Sequence, residues 1–330
     1  MRVVFLALTL ASGWILSGCA DSTPYDPPLP TATPAAFLHD WNSALTNVLV
    51  TDIVSPPVAS RIYVYPNLAA YEALAAFDPG YASLGASMPG LEVPEAPAGA
   101  DPSIAAQVAF SRIAQGLVFG PGPLAEREAV VLDASALPAR TVRASVAYGE
   151  AVAAAVQAFA KADNYAQTRT MTRYVVDEQA GSWQPTPPDF MEGLEPNWNQ
   201  LRPFVLVAAG EFTPPPPPPF DTTRGSAFFD DVLEVYHAVR DATPAQDSIA
   251  RFWDCNPLVS SHHAHFVTFS KKITPGGHWI GIAGIAARTA GLDAMRTAEV
   301  YALTAVAIAD GFISCWDEKS RAGTRSTAAA

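Results

Sequence analysis

The sequence predicts an all-α protein, a helical bundle broken by long proline-rich loops. Three observations carry that expectation. Apolar residues recur at three- and four-residue steps over several long stretches. Long alternating runs of β-branched residues are scarce, and no period-two block is convincing. Between the periodic stretches the chain is interrupted by proline-rich segments. With 330 residues, 49% of them hydrophobic and 16% charged, there is ample material for one large domain or two smaller ones with a true core. The formal net charge of −12 argues against a broad nucleic-acid or anionic-membrane surface. Twenty Lys and Arg residues still leave room for a local cationic pocket.

Residues 1–18 have a positive start at Arg2 and continue as an apolar run too short for a spanning helix, which reads as a signal peptide. Its end, Leu16-Ser17-Gly18-Cys19, resembles the lipobox of bacterial lipoproteins, in which the cysteine is lipidated. The alternative is an ordinary secretory peptide cleaved nearby. Cys19 is thus the expected lipidation site, and the expected location is extracytoplasmic, anchored to a bacterial membrane by lipid. Residues 19–34 are polar and rich in proline, as a tether would be. The folded domain is expected over 35–319. Helices are expected at "FLHDWNSALTNVL" and "PPVASRIYVYPNLAAYEAL", then, after a proline-rich break, at "SIAAQVAFSRIAQGLVF". From about Pro138 to Asn164, Val142, Val146, Gly149, Ala153, Val156 and Ala160 form one apolar stripe.

Residues 180–224 have no sustained period, and Pro214–Pro219 must be extended polyproline II because no residue there can donate to a helix or ladder. Helical patterning is expected to return at "AFFDDVLEVYHAVRD" and to continue to residue 318. The last long helix, from about Asp293, aligns Ala298, Ala302, Ala305, Ala309, Phe312 and Trp316, and the stripe continues to Lys319. Residues 320–330 form a low-complexity tail. Cys255 and Cys315 each sit beside a tryptophan and are expected to be buried thiols, although the compartment permits a disulfide.

Three places could carry chemistry. In "ITPGGHWIG", Thr274 can cap a helix with Pro275 at its first position, leaving the Gly276 and Gly277 N–H groups at a positive helix end where an anion could bind. Close packing around Trp279 would explain the glycines equally well, and His278 is expected to be structural. In "SSHHAHF", His262 and His265 could share a helix face as two metal ligands, with Asp254 the nearest acid, but no paired motif supplies the rest, and no metal is expected. Lys319 either neutralises an anion or complements the end of its helix. No nucleophile elbow, phosphate loop or dinucleotide fingerprint is present.

"PPVASRIYVYPNLAAYEAL", "FWDCNPLVSSHHAHF", "KKITPGGHWIGIAG" and "ADGFISCWDEK" together resemble the secreted bacterial branch of the superfamily of vanadium-dependent haloperoxidases and type-2 phosphatidic acid phosphatases. The likeness runs from roughly Phe37 to Lys319. It implies the N-terminal half of a helical haloperoxidase-like fold and a reaction that is either peroxide-driven halide oxidation or phosphoester hydrolysis. The implied oxyanion pocket comes from three ordered motifs, K-x6-R-P, P-S-G-H and S-R-x5-H. Their cations and N–H donors hold vanadate or phosphate. Only Lys319 matches, as the lysine of the first motif, which makes it the candidate catalytic and vanadate-binding residue. The motif's arginine falls on Ser326, Arg325 is one position short, and no proline follows. The Pro-Gly-Gly-His at 275–278 precedes the lysine instead of following it and has Gly276 where a hydroxyl belongs, so its likeness to the oxyanion motif is superficial. The domain is therefore expected to be incomplete, as after a C-terminal truncation. This chain alone is expected to bind no vanadate and to be inactive. The rival readings are a non-catalytic, lipid-anchored helical binding module or truncated gene product, and, more weakly, a metal hydrolase built on His262, His265 and Asp254. Self-association is expected through the apolar face of the last helix, left exposed.

Overall fold

A computed structural model describes residues 35–176, 180–187, 189–263 and 265–321. The expected signal peptide, Cys19, the whole tether and most of the tail lie outside the described residues. Ten helices appear among the described residues: α1 (Ala36–Thr51), α2 (Pro56–Ala75), α3 (Pro102–Gln115), α4 (Gly122–Asp133), α5 (Ala139–Lys161), the single turn α6 (Tyr165–Thr168), α7 (Ala227–Arg240), α8 (Pro244–Trp253), α9 (Pro275–Thr289) and α10 (Ala294–Arg321). The one departure from an all-α architecture is a hairpin of β1 (Ser260–His263) and β2 (Phe266–Phe269), antiparallel with His262 opposite Val267. This corrects the helical continuity expected through 241–274.

Helix α2 has no solvent-facing side and is correspondingly central: every residue but Pro56 and Val58 is buried. α3, α5, α9 and α10 pack around it. The α3–α5 crossing is close because Gly149 has no side chain. A Cβ there would lie 2.6 Å from the Ala105 carbonyl oxygen and 2.9 Å from Val108 Cβ. The stripe expected on α5 is present, with Gly149, Ala153, Val156 and Ala160 buried and Val142 and Val146 partly so.

Inside the bundle the buried charges are satisfied by an ion pair or by hydrogen bonds. Arg61 on α2 donates from Nε to Asp163 Oδ2 at 2.6 Å, and the Tyr65 hydroxyl donates to the same oxygen at 2.6 Å. The guanidinium also lies 4.3 Å from the Tyr165 ring centre. Burial, followed by the Asp163 charge, holds the Tyr65 phenol well above its usual range. The segment after residue 200 is clipped down in the same way. Asp310 of α10 accepts the N–H groups of Phe204, Val205 and Leu206 at 2.7, 2.9 and 3.1 Å.

α10 is long and apolar enough to cross a membrane by composition. Its alanine stripe is nevertheless packed within the bundle, with Ala298, Ala302, Ala305 and Ala309 all buried and Phe312 and Trp316 partly so. The expected exposure of that stripe is thus corrected: α2 and α9 cover it. Among the exposed apolar residues are many on α7 and α8, where no residue is buried.

Candidate functional site

The first turn of α9 forms as its residues dictate. Thr274 Oγ1 accepts the Gly277 N–H at 3.2 Å and Pro275 takes the first helical position. The glycines serve packing. A Cβ on Gly277 would lie 2.7 Å from both the Tyr63 hydroxyl and Ile273 Cγ1, and Gly276 faces Tyr63 and Ile308. The tight contact is therefore with Tyr63 on α2. Trp279, to which the packing had been attributed, is 56% exposed. His278 stacks on Trp253 with ring centres 4.9 Å apart and an interplanar angle of 14°, while Phe252 meets it edge-on. Its Nδ1 lies 3.0 Å from Cys255 Sγ. The ring is therefore held by α8 and the following loop, and the structural reading of His278 agrees with this geometry.

Cys255 and Cys315 form no disulfide. Cys255 is buried, as expected, but Cys315 is exposed, because it falls on the face of α10 away from α2. It lines a shallow apolar groove with Trp279, Ile308 and Phe312.

His262 lies in β1 and His265 in the turn that follows, so the pair shares no helix face. Among the described residues no three His, Cys, Asp or Glu side chains converge as a metal site, and Asp254 is instead ion-paired to Lys272.

Lys319 stands in the last turn of α10, partly buried, with Nζ 4.1 Å from the Trp316 ring centre. Trp316 is fixed by donating from Nε1 to the Leu194 carbonyl at 2.9 Å. The neighbouring charges are two acids: Asp317, which accepts Arg321 Nε at 2.8 Å and Asn199 Nδ2 at 3.3 Å, and Glu318, also paired with Arg321. A tetrahedral oxyanion such as vanadate needs several converging cations and N–H donors. Among the described residues this corner offers one ammonium on an indole face, two carboxylates, and a guanidinium already engaged by them. These residues do not by themselves fit the group, and no reaction step is built on them.

A second polar cluster gave no motif in the sequence. Buried His39 on α1 lies with Nδ1 2.7 Å from the Tyr301 hydroxyl of α10. Burial and then the nearby Arg288 charge lower the His39 pKa to about 4, while burial chiefly raises that of Tyr301. We assign the phenol as donor to neutral imidazole. Gly284 makes room for it, since a Cβ there would lie 2.4 Å from the phenolic oxygen. The available sequence signal was a polar residue within an apolar helical stretch, as at Arg61 and Asp310.

Among solved structures the chain matches one titled as the first bacterial vanadium-dependent iodoperoxidase, with a TM-score of 0.81 and 42% identity over 89% of this chain and 71% of that chain. No family model matches, and no curated protein does.

Proposed function

The chain belongs to the vanadium-dependent haloperoxidase superfamily, and on that premise we propose that it is the helical scaffold of a peroxide-driven halide oxidation. The observation that carries this reading is the 42% identity to an iodoperoxidase over 89% of this chain. That relative makes iodide the first halide to test and favours oxidation over phosphoester hydrolysis. In this reading Lys319, carried to the end of α10, contributes one cation to the oxyanion site. Vanadate, when bound by a complete set of donors, would activate peroxide towards the halide. The scaffold's own part is to fix α10, through Asp310 and the alanine stripe, so that Lys319 has a defined position.

The 330-residue polypeptide, carrying this single matched donor, should show no saturable vanadate binding and no vanadate-dependent iodide oxidation. Vanadate-dependent turnover that disappears in Lys319→Ala would overturn that. A chimera tests the scaffold directly: α10 continued by a family segment carrying R-P, P-S-G-H and S-R-x5-H should oxidise iodide with vanadate and lose at least about a hundredfold in Lys319→Ala. A folded chimera indifferent to Lys319 would refute the assignment.

The location belongs to the same proposal. Lipidation at Cys19 would hold the domain outside the cytoplasm, and Cys19→Ser should release it from the membrane fraction. The exposed apolar residues of α7 and α8, among them Val235, Val239 and Trp253, favour a second reading as a non-catalytic binding module that can also self-associate. Sedimentation as a clean monomer at micromolar concentration would count against self-association.

A further inference from the structure

We propose that Cys255 is a peroxide-reactive thiol, activated by His278. The proposal rests on geometry and is independent of whether the chain oxidises halides. Cys255 Sγ and His278 Nδ1 are 3.0 Å apart, close enough for direct proton transfer. The two residues come from different elements, the loop after α8 and the first turn of α9, and both are held. Trp253 stacks on the imidazole, Phe252 abuts its edge, and the Thr274 cap fixes the turn that carries it. Among the described residues, the acid next to Cys255, Asp254, is neutralised by its ion pair with Lys272. His278 is a proton acceptor in direct contact with the thiol. Cys255 is 6% exposed, a burial that favours a small oxidant such as hydrogen peroxide over bulky thiol reagents.

The reaction balances with hydrogen peroxide as the oxidant. The Cys255 proton passes to His278, giving a thiolate and an imidazolium. The sulfur attacks one peroxide oxygen, so an S–O bond forms as the O–O bond breaks. The departing hydroxide takes the proton back from His278 and leaves as water. Cys255 becomes a sulfenic acid, oxidised by two electrons, and the peroxide is reduced. Exposed Cys315 provides an internal comparison on the same chain, accessible but with no histidine against its sulfur among the described contacts.

The test is to treat the full chain with hydrogen peroxide at pH 7, trap sulfenic acid with dimedone, and locate the adduct by peptide mass spectrometry. Cys255 should be labelled at least about tenfold faster than Cys315, although Cys315 reacts faster with a bulky aromatic disulfide. His278→Gln should slow labelling of Cys255 about tenfold and leave Cys315 unchanged. Should that variant fail to fold, the unmodified chain still decides the matter through its pH profile. Alkylation of Cys255 by iodoacetamide should reach half its plateau at least one unit below the value of about 8.5 typical of an ordinary cysteine. Preferential oxidation of Cys315, an unchanged Cys255 rate in folded His278→Gln, or a midpoint near 8.5 would each overturn the proposal.

Discussion

Helix α2 and the α7–α8 pair obey opposite rules. α2 has no side-chain cap at Ser55 and carries Pro66 in its interior, yet all but two of its residues are buried. α7 and α8 are locally better made. Ser226 accepts the Phe229 N–H, Thr243 and Gln246 form a full capping box, and the apolar residues gather on one side, yet none is buried. Capping and periodicity decide that a segment is helical, whereas burial decides how much the fold depends on it. Caps contribute about 1 kcal/mol each, while a fully packed helix contributes through every side chain it removes from water. The contrast predicts where substitutions will matter.

The largest difference should come from buried against exposed ion pairs. Asp163→Ala strands the Arg61 guanidinium, 9% exposed, and removes the acceptor of Tyr65. We expect a loss of about 3–5 kcal/mol in urea unfolding. Asp247→Ala breaks an equally short pair with Arg251 on α8, where both side chains are more than half exposed, and should cost at most about 0.5 kcal/mol. Similar values for the two would abolish the distinction between the regions.

The second effect is a pH dependence located in the core. His39 has a folded-state pKa of about 4 against 6.5 when unfolded, so between those values the unfolded chain binds the extra proton. Stability present above pH 6.5 should therefore fall as the pH drops towards 4, by up to about 3 kcal/mol from this group. His39→Asn, which removes the titrating ring, should flatten that limb in melting curves recorded from pH 7 to 4. An unchanged slope would place the acid sensitivity elsewhere.

Next comes the α3–α5 crossing. Gly149→Ala would put a methyl 2.6 Å from the Ala105 carbonyl oxygen, forcing the helices apart at a cost of about 1–3 kcal/mol. Gly311→Ala on α10 meets nothing within 4 Å and should be neutral or slightly stabilising, since alanine is the better helix former. Calorimetry on the two variants compares a packed with an open helical glycine directly.

What the sequence disclosed follows the same division. The α5 stripe, the course of α10 to Lys319 and the Thr274 cap were all legible, because each depends on local spacing. The hairpin was not. β1 and β2 have four residues each, too few for an alternation to be seen, and the Ser-Ser-His-His run has no apolar face to reveal it. Nor could spacing show that Cys315 is exposed while Cys255 meets His278, because the first depends on how α10 packs in the bundle and the second on how the hairpin returns the chain to α8. The buried acids Asp163 and Asp310 were visible only as charges in apolar surroundings, and their partners lie about a hundred residues away.

The smallest effect is the most diagnostic for the outer region. Val239 on α7 is 75% exposed, so Val239→Ser removes little contact and should change stability by no more than about 0.5 kcal/mol. A loss above about 1.5 kcal/mol would mean that this face is covered in solution, by a second copy or by another polypeptide. Repeating the measurement over a hundredfold range of protein concentration separates these cases, since only self-association makes the loss concentration-dependent. A small, concentration-independent value would leave α7 as a helix made by its own caps and pattern, on which the bundle around α2 does not rely.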